Sequence, residues 1–206
     1  MKALLLKDYY MAMKYCKSQL LILLGFVALS FISGDNLFFI FYPCIFGGII
    51  PVNLLSYDEK SKWLQYSGTM PYTKGQIVSS KYLVGLIAQG LILGLTGTAH
   101  AVRMRMNGSF RLADVGILVL MLFILAAVTS SISLPFMFKW GVEKGRAAYY
   151  VMIILVCAFS GGVTALHDSI EEGMIVNILL ISSIIGIALY IFSWYLSIVF
   201  LEKREF

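Results

Sequence analysis

The stretch YDEKSKWLQYSGTMPYTKGQIVSSKY, residues 57–82, is the longest polar segment of a chain that is otherwise mostly apolar. It holds no His, no Cys and no glycine-rich phosphate loop, but it carries two aromatic–basic clusters and two helix-start signals. Ser56 followed by Glu59 fits a capping box, in which each side chain bonds the other's backbone N–H. This pair starts a short helix, unless the preceding helix simply runs on. Gly68 is placed to end that helix in a left-handed conformation. Met70-Pro71 then imposes an extended turn, because proline disfavours helix at the residue before it. Thr73-Lys74-Gly75-Gln76 is a second capping box, with Tyr72 placed to staple onto Ile77. The stretch reads as helix, sharp turn, helix, held in water.

What surrounds it is lipid-soluble. Of 206 residues, 60% are hydrophobic and 13% charged, and the mean hydropathy is +0.87. A soluble domain is nearer half apolar and a quarter charged. Roughly 20 apolar residues cross a bilayer core, and six apolar segments are present, at about 19–33, 37–57, 81–102, 113–138, 147–166 and 174–201. A tight Gly34-Asp35-Asn36 turn separates the first two. The expected fold is all-α, one membrane domain over 1–206 with six transmembrane helices and a polar segment at 57–80. The first apolar run follows Lys2, Lys7, Lys14 and Lys17, like a signal sequence. No small-x-small cleavage site follows it, so it reads as a retained span.

Lys and Arg set the orientation. With both termini cytoplasmic, the inner segments hold Lys2, Lys7, Lys14, Lys17, Lys60, Lys62, Lys74, Lys81, Lys139, Lys144, Arg146, Lys203 and Arg204, thirteen of the sixteen. Only Arg103, Arg105 and Arg111 fall outside, and the other outer loop is acidic, with Asp168, Glu171 and Glu172. The formal charge of +5 therefore reads as topology rather than nucleic-acid binding. Residues 1–18 form an expected interfacial helix. Ala3, Leu6, Tyr10 and Met13 share one face and Lys7, Lys14 and Ser18 another, which places lysines toward anionic membrane lipid. Cys16, Cys44 and Cys157 fit no disulfide or metal spacing and read as free thiols.

Gly47-Gly48 followed by Pro51 and Asn53 should loosen the second span. Thr129, Ser130, Ser131 and Ser133 before Pro135 should do the same in the fourth, making both possible hinges or static kinks. Gly90, Gly94 and Thr98 form a small-residue face that suits a dimer seam, a substrate wall or packing within one chain. No Walker motif, zinc-protease helix or nucleophile elbow occurs. His100 and His167 stand alone, and no metal site is expected. Trp63, Leu64 and Tyr66 beside Lys60 and Lys62 suit a protein docking site as well as an aromatic belt.

EKSKWLQYSGTMPYTKGQIVSSKYL resembles the loop between the second and third spans of type-2 permeases of ATP-binding-cassette exporters. Glu59, Trp63, Tyr66, Met70, Pro71, Ile77, Val78, Lys81 and Tyr82 match that pattern, and Thr69-Met70-Pro71 replaces its more usual Ser-Leu-Pro. SISLPFMFKWGVEKGRA resembles the end of the family's fourth span and the following inner loop. SWYLSIVFLEKREF resembles its C-terminus. The resemblance covers essentially the whole chain.

It implies that the polar stretch is a coupling helix seated on a separate ATPase subunit. The contact residues would be Glu59, Lys60, Lys62, Trp63 and Tyr66, with Lys139, Glu143, Lys144 and Arg146 as a second inner loop on the same partner. It implies a second permease chain, a multi-pass location in the cell membrane, and no cofactor on this chain. ATP and Mg would sit on the ATPase. Intramembrane charge is nearly absent, which disfavours ion-coupled carriers. Gln89, Thr96 and Asn177 are the polar candidates for a path suited to an amphipathic or lipophilic cargo. The rival readings are an immunity module that binds antimicrobial peptides without ATP turnover, and a membrane-embedded enzyme, for which no convergent polar cluster is legible.

Overall fold

A computed structural model describes residues 1–32, 37–67, 69–108, 110–166 and 172–203, with side chains set aside for 31, 32, 37, 38, 155–166 and 172–175. The described chain is helical: α1 Lys2–Tyr15, α2 Lys17–Ile32, α3 Leu37–Gly47, α4 Ile49–Lys60, α5 Trp63–Ser67, α6 Lys74–Met106, α7 Leu112–Trp140, α8 Val142–Leu166 and α9 Glu172–Glu202. Four stretches are long and apolar enough to cross a membrane: Phe39–Lys60, Lys74–Met106, Leu112–Trp140 and Val176–Glu202. The pair α1–α2, bent by 73° at Cys16, makes a fifth if it is counted as one broken span. The six expected spans thus appear as four to five among the described residues. The expected span at 147–166 lies in α8, whose second half has no described side chains.

Several boundaries differ from the sequence reading for local reasons. On its own α2 has 16 residues, about 24 Å of rise against a core of about 30 Å. The expected capping box at Ser56 starts no helix, because α4 runs through it to Lys60. The box at Thr73 does start one: Thr73 Oγ1 accepts from the Gln76 N–H at 3.3 Å, and α6 follows for 33 residues. Helix α6 exceeds the expected span because it begins inside the polar stretch. Gly68 and the Gly34-Asp35-Asn36 turn lie outside the described residues.

Helix α7 is the centre of the bundle, packed along α8 and α9 and touching α3 and α6. One apolar cluster joins Val52 and Leu55 of α4, Val78 and Tyr82 of α6, Phe138 of α7 and Leu201 of α9. A second joins Leu23 of α2, Cys44 of α3, Ile92 of α6 and Leu122 of α7. Cys16 and Cys44 are free and buried; Cys157 lies outside the described side chains.

The second expected span breaks at Gly48, where α3 gives way to α4. A Cβ on Gly48 would stand 2.9 Å from Thr129 Cγ2, so the close approach of α7 requires glycine there. Carbonyls near such a break need partners, since lipid offers none. Gln19 Nε2 of α2 donates to Phe46 O at 3.1 Å, and Tyr149 Oη of α8 donates to Ile45 O at 2.5 Å. Asn53 Nδ2 holds Gln19 in place through its Oε1 at 2.8 Å. In the orientation that suits its neighbours, the Gln89 amide donates to Ala126 O and accepts from the Gly48 N–H. Side chains from three other helices therefore fasten this break.

Candidate functional site

The basic loops gather at one end of the bundle. Helix α4 stops at Lys60, and Lys62 takes φ 55° to turn the chain into the five-residue α5. Lys60, Lys62 and Tyr66 are exposed, as are Lys139, Glu143 and Lys144 from the α7–α8 turn. Glu59 Oε2 accepts from the Val142 N–H at 2.9 Å, capping the first turn of α8. Arg146 Nη2 donates to Ser56 Oγ at 2.9 Å in return. The α4–α5 and α7–α8 loops, read separately in the sequence, are thus bonded to each other. Glu59 and Arg146 hold that joint, while the lysines and Tyr66 face outward.

Gly145 makes the joint compact. A Cβ there would stand 3.0 Å from Met137 Cα and 2.3 Å from its Cγ, so α8 leaves α7 in near contact. Lys139 Nζ lies 5.1 Å from both the Trp140 and Phe200 ring centres, tying the same turn to α9. Lys74 Nζ donates to Glu202 O at 3.2 Å, which brings the start of α6 to the same end.

Behind this face lies a feature that the sequence reading missed. Asp8, Asp58 and Lys81 are at most 2% exposed. Lys81 Nζ sits 2.6 Å from Asp8 Oδ1 and 2.5 Å from Asp58 Oδ2, the latter as an ion pair rather than a directed hydrogen bond. Lys7 Nζ lies 2.8 Å from Asp58 Oδ1 and 3.4 Å from Asp8 Oδ1. Ser80 Oγ donates to Asp8 Oδ2 at 3.2 Å. Two lysines and two aspartates from α1, α4 and α6 form a closed, neutral network. Buried charges persist only when paired in this way.

The network corrects the expectation for Lys7, which turns inward rather than to lipid. Its ammonium also lies 4.3 Å from the Trp63 ring centre. Trp63, expected as a docking residue, is half-buried and anchors α5 to α1. The signal available in the sequence was Asp8, the sole acid before Asp35 in a basic, apolar N-terminal segment.

Next along α6, Tyr82 is fully buried, with its hydroxyl 2.7 Å from both Ser193 Oγ and Ser197 Oγ of α9. Tyr190 Oη donates to Tyr82 O at 2.9 Å, Trp194 stacks on the Tyr82 ring at 5.4 Å, and Trp194 Nε1 donates to Ser79 Oγ at 3.0 Å. Ser193 Oγ also donates to Ser131 O at 2.7 Å. That carbonyl lies four residues before Pro135, which has no N–H to give it. The expected loosening of the fourth span is thus filled by α9, and α7 continues through Pro135 as helix to Trp140.

The polar path candidates separate. Gln89 is buried at the Gly48 crossing and borders a cavity of about 360 Å³ between α6, α7 and α9, next to Gly90, Ser130, Tyr190 and Trp194. Thr96 is buried, with its hydroxyl bonded to Ile92 O of its own helix. Asn177 is exposed. Thr96 and Asn177 do not line that cavity. Gly90 and Gly94 are exposed, and nothing lies within 4 Å of a Cβ built on either, so among the described residues no packing uses these two positions.

The family model for ABC-2 family transporter protein matches residues 3–202. No curated protein and no solved structure matches the chain. The match runs from the first turn of α1 to the last residue of α9 and so takes in the charge network, the two bonded loops and the membrane helices. The chain therefore belongs to the ABC-2 family of transporter proteins, as a multi-pass membrane permease.

Proposed function

We propose that this chain is the permease subunit of an ATP-binding-cassette exporter in the cell membrane, with its basic end cytoplasmic and seated on a separate ATPase. The observation that carries this reading is the bonding of the two inner loops through Glu59–Val142 and Arg146–Ser56. A push on the α5 face would not bend one loop alone. It would pass through Glu59 into α8, and through Asp58 and Lys81 into α6. Family membership supports the motor: ATP and Mg act on the partner, and this chain carries no covalent chemistry. A second permease chain completes the path.

The docking face consists of Lys60, Lys62, Tyr66 and Lys144, with Lys139 and Glu143 at its edge. Its surplus of lysine suits an acidic cleft on the ATPase. The cargo is amphipathic or lipophilic, in keeping with the nearly uncharged cavity between α6, α7 and α9.

The test is to purify the chain in mild detergent from its own host and identify the proteins retained. The wild type should hold an ATPase. A Lys60→Glu, Lys62→Glu, Tyr66→Ala variant should lose it at least tenfold (on the order of 1–2 kcal/mol) while unfolding at the same temperature. Crosslinked wild type without any ATPase, or equal retention by the variant, overturns the proposal. Stimulation of ATP hydrolysis by hydrophilic solutes alone would overturn the cargo class.

A further inference from the structure

The bend between α1 and α2 leaves an apolar groove of about 640 Å³ against α6. Its walls are three helical stripes: α6 contributes from Val84 to Leu95, α2 from Leu20 to Val27, and α1 closes one end with Leu5 and Tyr9. Polar contacts tie α1 to α6 and α2 to α6. At one end Asp8 of α1 holds Ser80 and Lys81 of α6. At the other, Arg103 Nη1 of α6 donates to Ser30 O of α2 at 3.2 Å. Between these ties no described side chain fills the space, and Leu91 and Leu24 remain 64% and 54% exposed.

The length identifies the occupant. The eleven steps from Val84 to Leu95 of α6 rise about 16 Å, which is about half of a 30 Å hydrocarbon core and so the depth of one leaflet. The charge agrees with it. Lys2, in the first turn of α1, is the one charged residue lining the groove, on the same helix as Tyr9. An apolar slot one leaflet deep, with one exposed lysine in its lining, matches an acyl chain carrying a phosphate headgroup. We infer that this groove is a built site for one anionic phospholipid, with its acyl chain between α2 and α6 and its phosphate on Lys2. The site lies apart from the motor-docking face, and the inference does not depend on which ATPase binds there.

The experiment reconstitutes the full chain in nanodiscs of equal phosphatidylglycerol and phosphatidylcholine, releases it into detergent, and counts retained lipids by native mass spectrometry. The wild type should keep one lipid, with phosphatidylglycerol favoured about fivefold, the size of one lysine–headgroup attraction. Lys2→Glu should abolish that preference. Folding should survive, since an acidic residue suits the positive N-terminus of a helix. Leu91→Trp should displace the lipid whatever its headgroup, with Leu24→Trp from the opposite wall as a second filling variant. Retention without headgroup preference, retention unchanged by both tryptophans, or a second copy of the chain found in the groove by crosslinking would each overturn the site.

Discussion

At the scale of single residues, Lys81 has the largest consequence. Its ammonium is the shared partner of two buried carboxylates. Removing it leaves the two carboxylates with Lys7 alone, one buried negative charge in excess, so Lys81→Ala should cost about 3–5 kcal/mol, read as a fall in unfolding temperature in detergent. Adding Asp8→Asn to Lys81→Met should restore most of the loss, because Lys7 then pairs with Asp58 at 2.8 Å and no buried charge lacks a partner. An unchanged unfolding temperature in Lys81→Ala would mean that the network does not hold α1. Trp63 and Tyr66 separate in the same manner. Trp63→Ala gives up the contact with Lys7 and should cost about 1 kcal/mol. Tyr66→Ala touches an exposed side chain and should change stability by less than about 0.5 kcal/mol, so a binding defect in Tyr66→Ala reports the partner alone.

At the scale of helices, glycines divide into those that pack and those that face outward. Gly145→Ala drives a methyl group toward the Met137 backbone, and overpacking of this kind costs about 1–3 kcal/mol. Gly90→Ala and Gly94→Ala meet open space and should leave the isolated chain as stable or more so, by up to about 1 kcal/mol each from helix propensity. Thermal unfolding of the three variants side by side checks the contrast. Loss of transport in the Gly90 and Gly94 variants despite full stability would then place the cargo or a second chain on that face. The break at Gly48 was legible as a weak point from Gly47-Gly48 and Pro51. Its fastening by Gln19, Gln89 and Tyr149 was not, because a glutamine in an apolar helix looks the same whether it lines a path or satisfies a neighbour's carbonyl.

At the scale of the whole molecule, the gathering of lysines at one end is the orientation argument in three dimensions. With Cys157 replaced by serine and Cys16 and Cys44 buried, single cysteines can report sidedness. Tyr66→Cys should react with an impermeant maleimide only in inside-out vesicles, and Asn107→Cys, at the far end of α6, only in right-side-out ones. The reverse pattern would invert the topology and place the proposed docking face outside. The same architecture explains why so little charge in the membrane suffices. Its main ionic network sits where α1, α4 and α6 meet, next to the face expected to take the load.

By itself the amino-acid sequence determined the class of the protein, the main helical stretches and the start of α6 at Thr73. Hydropathy and caps act over a few neighbouring residues, so they can be read without a fold. The tertiary structure alone decided which groups meet: Asp8 with Lys81, Glu59 with the first turn of α8, Ser193 with the carbonyl that Pro135 leaves free. Those partners are 62 to 83 residues apart. They find one another only once each helix has a fixed rotation and depth, and in helices apolar on nearly every side no periodicity in the sequence sets that rotation. The close packing of α6, α7, α8 and α9 sets it instead.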